Sequence, residues 1–349
     1  MHEFTTHGGL WNCLQKAAVL INKIKFVNLL IQMVNVNLST KSKILKILRA
    51  EEKPVKGELL AAECGISRVA VWKAVQALEQ AGYGIGSSRS GYELTKDLED
   101  SLYPWEFEKD EANHFHFAKT ESTMIQAKNA VEECADGEMK IITADMQSNG
   151  KGHAEHKWTT TKGSLAFTVA SREHIPLMES HRFVMAAQIA IAKTLEKNCG
   201  KKIYLRWPND IWTENGKAGG ILDDLCATGS ITNWVNLGIG INLLTKPRIE
   251  KTDCIFKAEK KILRRDLLSE IIANLKTEMK LSKENDSGLE KQWNLFCPDT
   301  GREFSLKDSG KKLIFKGINS YGWAITESNG EEKLFPPCTI NLLKNGVLQ

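Results

Sequence analysis

Arg206, Asp210 and Lys217 fall in one short stretch, Arg206-Trp207-Pro208-Asn209-Asp210-Ile211-Trp212-Thr213-Glu214-Asn215-Gly216-Lys217-Ala218-Gly219-Gly220-Ile221-Leu222. Two cations and a carboxylate beside paired glycines can neutralise an anion that approaches the backbone closely. The same residues also fit a surface hairpin whose charges are solvated. A second stretch, Gln147-Ser148-Asn149-Gly150-Lys151-Gly152-His153-Ala154-Glu155-His156-Lys157-Trp158, sets a Gly-x-Gly among cations. Glycines expose backbone N–H groups and lysines neutralise charge, which suits phosphate; a mobile surface loop is the alternative. A third group, Thr120, Ser122 and Thr123, clusters hydroxyls that can cap a helix or hydrogen-bond a small polar ligand.

Each group needs an element to hold it. Lys201 to Arg206 reads as an extended run, Pro208-Asn209-Asp210 turns it, and Ile211-Trp212 starts a second strand. Glu214-Asn215-Gly216 is turn chemistry, which puts Lys217 on the returning strand. His114-Phe115-His116-Phe117 alternates as a strand whose two histidines share a face, which suits a metal but, with no third ligand nearby, reads as solvent-facing; the hydroxyl cluster lies where it meets a helix through Val131. Lys140–Asp145 is the strand that feeds the glycine loop. Gly163–Ser171, Gly219–Asp224 and Trp234–Leu243 are further strands, the last containing Gly238-Ile239-Gly240-Ile241-Asn242. Helices are predicted over His181–Glu196, with Phe183, Ala186, Ala187, Ile189, Ala190 and Leu195 inward, and over residues 263–281.

Upstream, Ile44, Leu45, Ile47 and Leu48 mark one helix, and Lys56–Cys64 a second with Leu59, Leu60 and Ala62 inward. Ser67 caps a third that runs to about Ala81, burying Val71, Ala74, Val75 and Leu78. Tyr83–Ile85 and Gly91–Leu94 flank Gly86–Ser90 as a small hairpin tipped by Arg89. This order predicts a winged helix-turn-helix, with Ser67, Arg68, Trp72, Lys73 and Arg89 facing DNA; a three-helix bundle for protein contacts is the alternative. Residues 1–37 read as a poorly ordered extension, too short and too broken by lysines to span a bilayer. Residues 97–112 are acidic and read as a linker that would repel DNA. From Phe296, short strands at regular spacing with Gly and Asn turns predict a small barrel.

With 349 residues the chain is too long for one small core, and 42% apolar residues exclude wholesale disorder. A net charge of +4 permits nucleic-acid contact without requiring it. The eight cysteines show no Cys-x-x-Cys and no histidines at metal spacing, which points to thiols in a reducing cytosol.

The Arg206–Leu222 string resembles, without a gap, the core motif of the biotin protein ligases, in which a basic residue precedes Trp-Pro-Asn-Asp and a lysine precedes Gly-Ile-Leu. Gly238–Asn242 is similar to that family's Gly-x-Gly-x-Asn strand, and the order of elements over residues 40–345 is the family's. The resemblance implies an α+β protein: a winged helix-turn-helix over 38–96, the 97–112 linker, a mixed-sheet class II synthetase-like catalytic domain over 113–295, and an SH3-like barrel over 296–349. It implies a cytoplasmic ligase, with no membrane partner, that joins biotin to ATP, with Mg2+, as biotinyl-5'-AMP. The biotinyl group then passes to a lysine of the biotin carboxyl carrier domain of acetyl-CoA carboxylase. It further implies repression of biotin genes at operator DNA by an adenylate-bound homodimer.

By the same resemblance Lys217, Lys151 and Arg206 serve catalysis, while Ser122, Thr123, Met124, Gln147, Lys151, Gly152, His153 and Lys217 bind biotin. Gly150, Lys151, Gly152, His153, Trp158, Arg206, Asn209, Asp210 and Asn242 bind the nucleotide, and Asp210 holds Mg2+ or orients the lysines. Two positions depart from the pattern. Met124 stands where asparagine is common, and His153 to His156 replace an arginine-rich run, which removes permanently charged bidentate donors. A biotin-sensing regulator with weakened ligase activity therefore stays open, as does a lipoate or octanoyl transferase of related architecture.

Overall fold

The computed structural model describes residues 38–153, 156–257, 260, 262–284, 286–306, 309–337 and 342–344. The expected extension over 1–37 lies outside the described residues. The chain divides into two units, residues 1–112 and 113–349.

In the first unit, α1 (Thr40–Ala50), α2 (Gly57–Cys64) and α3 (Arg68–Gln80) precede the antiparallel pair β1 (Gly84–Ser88) and β2 (Gly91–Lys96). Ser39 and Ser67 cap α1 and α3, their side chains accepting from the backbone N–H of Ser42 and Ala70. Gly65, at φ 68°, ends α2 in the left-handed region. The core joins Ile44, Leu45, Leu48, Leu60, Val71, Val75 and Leu78. On α2 the inward face is Leu60, Ala61 and Cys64, whereas Leu59 and Ala62 are exposed. The expected assignment of Leu59 and Ala62 to the core was therefore wrong: in a helix this short one face holds few positions, and Cys64 takes one. The strands also run further than their apolar residues suggested, leaving a tight tip at Arg89 and Ser90. Gly91 has φ 133°, and a Cβ there would lie 2.2 Å from the carbonyl oxygen of Val55, whose backbone pairs with Tyr92.

The acidic stretch packs instead of linking freely. Leu102 and Phe107 are buried, and the Glu106 carboxylate accepts from Arg49 at 2.8 and 3.0 Å and from the Tyr83 hydroxyl. Asp97 takes the rest of the Arg49 guanidinium at 2.8 Å, holding that guanidinium's pKa above its ordinary range despite burial. Burial and the Glu106 bond push the Tyr83 hydroxyl up to about 12. The acids here are partly spent on Arg49, a tertiary pairing that composition does not reveal.

The second unit is built on a mixed seven-stranded sheet, in the order β3 (His114–Thr120), β4 (Met139–Gln147), β7 (Leu165–Ser171), β11 (Ile231–Ile241), β10 (Lys217–Thr228), β9 (Asp210–Trp212) and β8 (Tyr204–Arg206). The β3–β4 pair is parallel and the others are antiparallel. A two-residue pair, β5 (Gly150–Lys151) with β6 (Lys157–Trp158), closes the glycine loop. Helix α4 (Thr123–Glu132) covers Ile142 and Ala170 through Ala127 and Val131. Helix α5 (His181–Cys199) is buried around almost its whole girth, since β8 to β10 lie on one side and α6 (Arg264–Glu284) and α7 (Asp286–Phe296) on the other. The β3 histidines do not face solvent. His114 is buried, and His116 is held by Thr143 Oγ1 at 3.0 Å and Asp145 Oδ2 at 3.2 Å. Burial would raise the Asp145 pKa, but the His116 bond and the Arg264 charge bring it below its ordinary value.

After α7 comes a five-stranded antiparallel sheet of β12 (Glu303–Leu306), β13 (Lys312–Ile318), β14 (Ala324–Ser328), β15 (Glu331–Phe335) and β16 (Leu342–Lys344), in the order β15-β14-β13-β12-β16. It is pinned to the hairpin region where Trp207 Nε1 donates to the Gly322 carbonyl at 2.9 Å. Among the described residues the cysteines form no disulfide, and no helix is long and apolar enough to cross a membrane.

Candidate functional site

Strand register decides which side chains meet. Directly opposed residues of paired strands share a face, so Arg206, Asp210, Gly220, Gly240 and Ala166 line up across β8, β9, β10, β11 and β7. One pleat along, Leu222, Gly238 and Thr168 form the next row on that face. Lys217 precedes a bulge in the β9–β10 pairing, and its side chain bends back over Gly220. Its ammonium donates to Asp210 Oδ1 at 2.6 Å, while Trp212 Nε1 lies 3.4 Å from Oδ2. The Lys217 side chain keeps 37% of its exposure, so the charge remains accessible to a ligand.

The glycines of β11 leave room for what lies on them. A Cβ on Gly240 would fall 2.3 Å from the Trp158 ring, and one on Gly238 would fall 2.5 Å from the Met124 sulfur. The indole and the thioether thus rest directly on the strand backbone. Beside them the Thr123 N–H and hydroxyl donate to Gln147 Oε1 at 2.8 and 3.2 Å. Gln147 Nε2 donates to Thr160 Oγ1 at 3.2 Å, and Thr168 Oγ1 to Thr123 Oγ1 at 2.8 Å. Ser122 caps α4 by accepting from the Met124 N–H at 3.3 Å. The hydroxyl cluster therefore both caps the helix and joins a buried amide network.

Six buried side-chain atoms lack a hydrogen-bond partner among the described residues, and five belong to this face: Trp158 Nε1, Arg206 Nε, Asn242 Oδ1 and both amide atoms of Asn236. Such atoms cost free energy unless a water or a ligand meets them.

Several expected residues have other partners. Arg206 is not a free cation: its guanidinium stacks on the Trp212 ring at 4.0 Å and lies 3.6 Å from Asp299 Oδ2. Burial lowers its pKa, and Asp299 opposes that shift. Asn209 Nδ2 donates to the Ile221 carbonyl at 2.6 Å and so braces the hairpin against β10. Asn242 Nδ2 donates to the Asp253 carbonyl, leaving Oδ1 free. Asp210 is engaged by Lys217 at 2.6 Å and by the Trp212 indole at 3.4 Å, and the described residues contain no group of three metal-ligating side chains. In the loop, Gly150 opposes Trp158 and the Gly152 N–H donates to the His156 carbonyl at 2.9 Å. Lys151 is exposed and His153 half-buried, while Ala154 and Glu155 fall outside the described residues.

Thr160, Thr168, Asn236, Gln188 and Asp299 were not foreseen. Gln188 and Asp299 come from elements distant in the chain, whereas Thr160, Thr168 and Asn236 lie in or beside strands that were expected, where a lone buried Thr or Asn leaves no pattern in its own neighbourhood. Of the nucleic-acid candidates, Trp72 is 53% exposed on α3, Lys73 and Arg89 are exposed, and Arg68 pairs with Glu58 at 3.1 Å. The Ser67 hydroxyl is engaged as a helix cap.

Comparison with known proteins adds to this geometry. Residues 40–93 match the model of an HTH domain, and residues 117–242 match that of the biotin/lipoate A/B protein ligase family. The match to the helix-turn-helix model thus lies upstream of the match to the ligase-family model. It is homologous to bifunctional ligase/repressor BirA of Bacillus subtilis, 28% identical over 200 residues that cover 55% of this chain and 61% of that protein. It thus spans about three fifths of the length of the Bacillus relatives it matches. The Salmonella typhimurium protein of the same name is 24% identical over 78% of this chain and 88% of its own. The ligase-family fold is shared with an Aquifex aeolicus biotin protein ligase solved with biotin and ATP, at a TM-score of 0.55 and 20% identity, over 66% of this chain and 99% of that one.

Proposed function

We propose that the protein is a biotin protein ligase that also represses transcription through its helix-turn-helix. What carries the reading is the Lys217–Asp210 pair set over Gly220, on the same sheet face as Gly240, Trp158 and the Thr123–Gln147 network. Biotin's ring end would take the polar network of Ser122, Thr123 and Gln147, and its carboxylate would extend toward Lys217. A carboxylate oxygen attacks the α-phosphorus of MgATP, the bond to pyrophosphate breaks, and biotinyl-5'-AMP forms. The chemical obstacle is repulsion between two anions, which the Lys217 ammonium relieves as charge builds on the transferring phosphorus. Asp210 fixes that ammonium in place, and Arg206 and Lys151 add positive potential. Trp158 shields the mixed anhydride from water. A lysine amine of the biotin carboxyl carrier domain of acetyl-CoA carboxylase then attacks the acyl carbon, and AMP leaves.

Magnesium enters as part of the ATP complex, which needs few protein ligands of its own; the Asp210 carboxylate, partly exposed beside Lys217, is the candidate one. We further read the final five-stranded sheet as an SH3-like barrel and the catalytic layer as class II synthetase-like. The protein would act in the cytoplasm and dimerise with adenylate bound, placing two winged helices on an operator. Incubation with labelled biotin, ATP and a carrier domain tests the ligase reading: label is expected on the carrier lysine. Biotin binding without any transfer would favour the sensor reading, which the histidines at 153 and 156 motivate. Tighter binding of lipoate than of biotin would favour the transferase.

A further inference from the structure

Helix α5 buries one uncharged amide in an otherwise apolar stretch. Gln188 is fully buried and lies between Ala187 and Ile189, with Met185 and Ile191 a turn away on either side. Both ends of the amide are engaged. Oε1 accepts from the Trp293 indole N–H of α7 at 2.7 Å, and Nε2 donates to the backbone carbonyl of Asp210 at 3.2 Å. Trp293 is itself fully buried, and its neighbour Asn294 exchanges two hydrogen bonds with the backbone of Ile318 in β13. A leucine at 188 would fill comparable space without the need to satisfy two polar atoms. The amide instead joins three elements and ends on the residue whose carboxylate holds the Lys217 ammonium at 2.6 Å.

We propose that Gln188 is a positioning residue for the activation step. By clamping the Asp210 carbonyl it fixes that peptide plane, hence the direction of the Asp210 side chain and the place of the Lys217 ammonium. The Trp293 indole in turn fixes which end of the Gln188 amide faces Asp210, because an indole N–H can only donate. This inference rests on the ligase reading. It assigns Gln188 an effect on rate, not on ligand affinity, since the amide touches neither ligand. A misplacement of about 1 Å at a reacting centre lowers rate by about a hundredfold, and relaxation here is smaller.

The test measures biotin affinity by calorimetry and adenylate formation by pyrophosphate release, for the full chain and two variants. Gln188→Leu should bind biotin within about threefold of wild type and form adenylate about tenfold more slowly, as a fall in kcat with KM little changed. Gln188→Glu, assayed only over the pH range where circular dichroism shows it fully folded, gives a signature that a merely structural role would not. When protonated, its carboxyl can accept from Trp293 and donate to the Asp210 carbonyl, restoring both bonds; when ionised it faces that carbonyl without a proton. Burial raises the pKa of such a group, so the kcat of this variant relative to wild type should rise as pH falls. Wild-type kcat in Gln188→Leu, or a loss confined to KM, overturns the proposal. Should Gln188→Leu fail to fold, the pH profile of Gln188→Glu decides, and a ratio to wild type that does not vary with pH overturns it. A wild-type protein that releases no pyrophosphate from biotin and ATP would instead sink the ligase reading itself.

Discussion

The charged residues of the β8–β10 hairpin and those of the α3 face are arranged in opposite ways. In the hairpin each cation is tied: Lys217 to Asp210 at 2.6 Å, and Arg206 between the Trp212 ring and Asp299. On α3 the large side chains stand outward, with Val69 62% and Trp72 53% exposed, and the ion pair of Arg68 with Glu58 is open to solvent on both sides. A reaction between two anions needs a charge that is already in place, because reorganising it during the step would raise the barrier. A groove-reading helix needs the reverse, side chains free to adapt to a partner that brings its own charges and base edges. Pairing in one region and exposure in the other therefore follow from what each surface must meet.

That contrast can be broken in five places, from the largest expected effect to the smallest. Lys217→Ala removes the ammonium at the reacting centre and should slow adenylate formation by at least about a hundredfold; retained synthesis in a pyrophosphate-release assay would show that another cation does this work. Next, the His181 imidazole is buried against the Gly322 turn, and burial, aided by His153 and opposed by Asp223 and the Pro208 carbonyl, lowers its pKa to about 4. The unfolded chain binds this proton near pH 6.5 and the folded chain does not. Stability is thus intact above pH 6.5 and is lost as pH falls toward 4. Denaturant unfolding of wild type and His181→Phe at pH 7 and pH 5 should show a smaller pH dependence in the variant.

Arg49→Ala probes pairing within the first unit. It leaves the buried Glu106 carboxylate with only Tyr83 among its hydrogen-bond donors described above, and should cost about 2 kcal/mol on chemical denaturation. Trp72→Ala should leave stability nearly unchanged, because the ring is exposed, yet weaken operator binding by about 1–2 kcal/mol in a fluorescence-anisotropy titration. Unaltered DNA affinity would point to the protein-contact reading of this unit. Arg68→Ala, which breaks the solvent-exposed pair with Glu58, should change stability by less than about 0.5 kcal/mol.

Much of the architecture could be read from local patterns. Val71, Ala74, Val75 and Leu78 repeat with helical spacing, and all four are buried. The turn residues Pro208 to Asp210 and Glu214 to Gly216 bound strands that do pair as a hairpin. Solvent exposure was less legible. His116 alternates on β3 like a solvated residue, but the parallel neighbour β4 brings Thr143 and Asp145 to its ring. The acids of 97–112 looked free until Arg49, on a helix some fifty residues earlier, was seen to engage Asp97 and Glu106. Arg206 and Lys217 were both expected as site cations, and their different carboxylate partners, Asp299 from the turn before β12 and Asp210 within the hairpin, could not be read from the sequence.

By itself the sequence determined the order of the elements, the helix cap at Ser67, and the set of charged and glycine residues available for anion chemistry. These depend on interactions a few residues in range, where side-chain type and backbone preference act directly. The tertiary structure decided which cation is held by which carboxylate, and which buried polar atoms are left without partners along the sheet face. It also decided that a lone glutamine in an apolar helix bridges Trp293 and Asp210. Those outcomes depend on strand register and helix packing, which bring together residues from six or more separate elements and leave no mark on the sequence around any one of them.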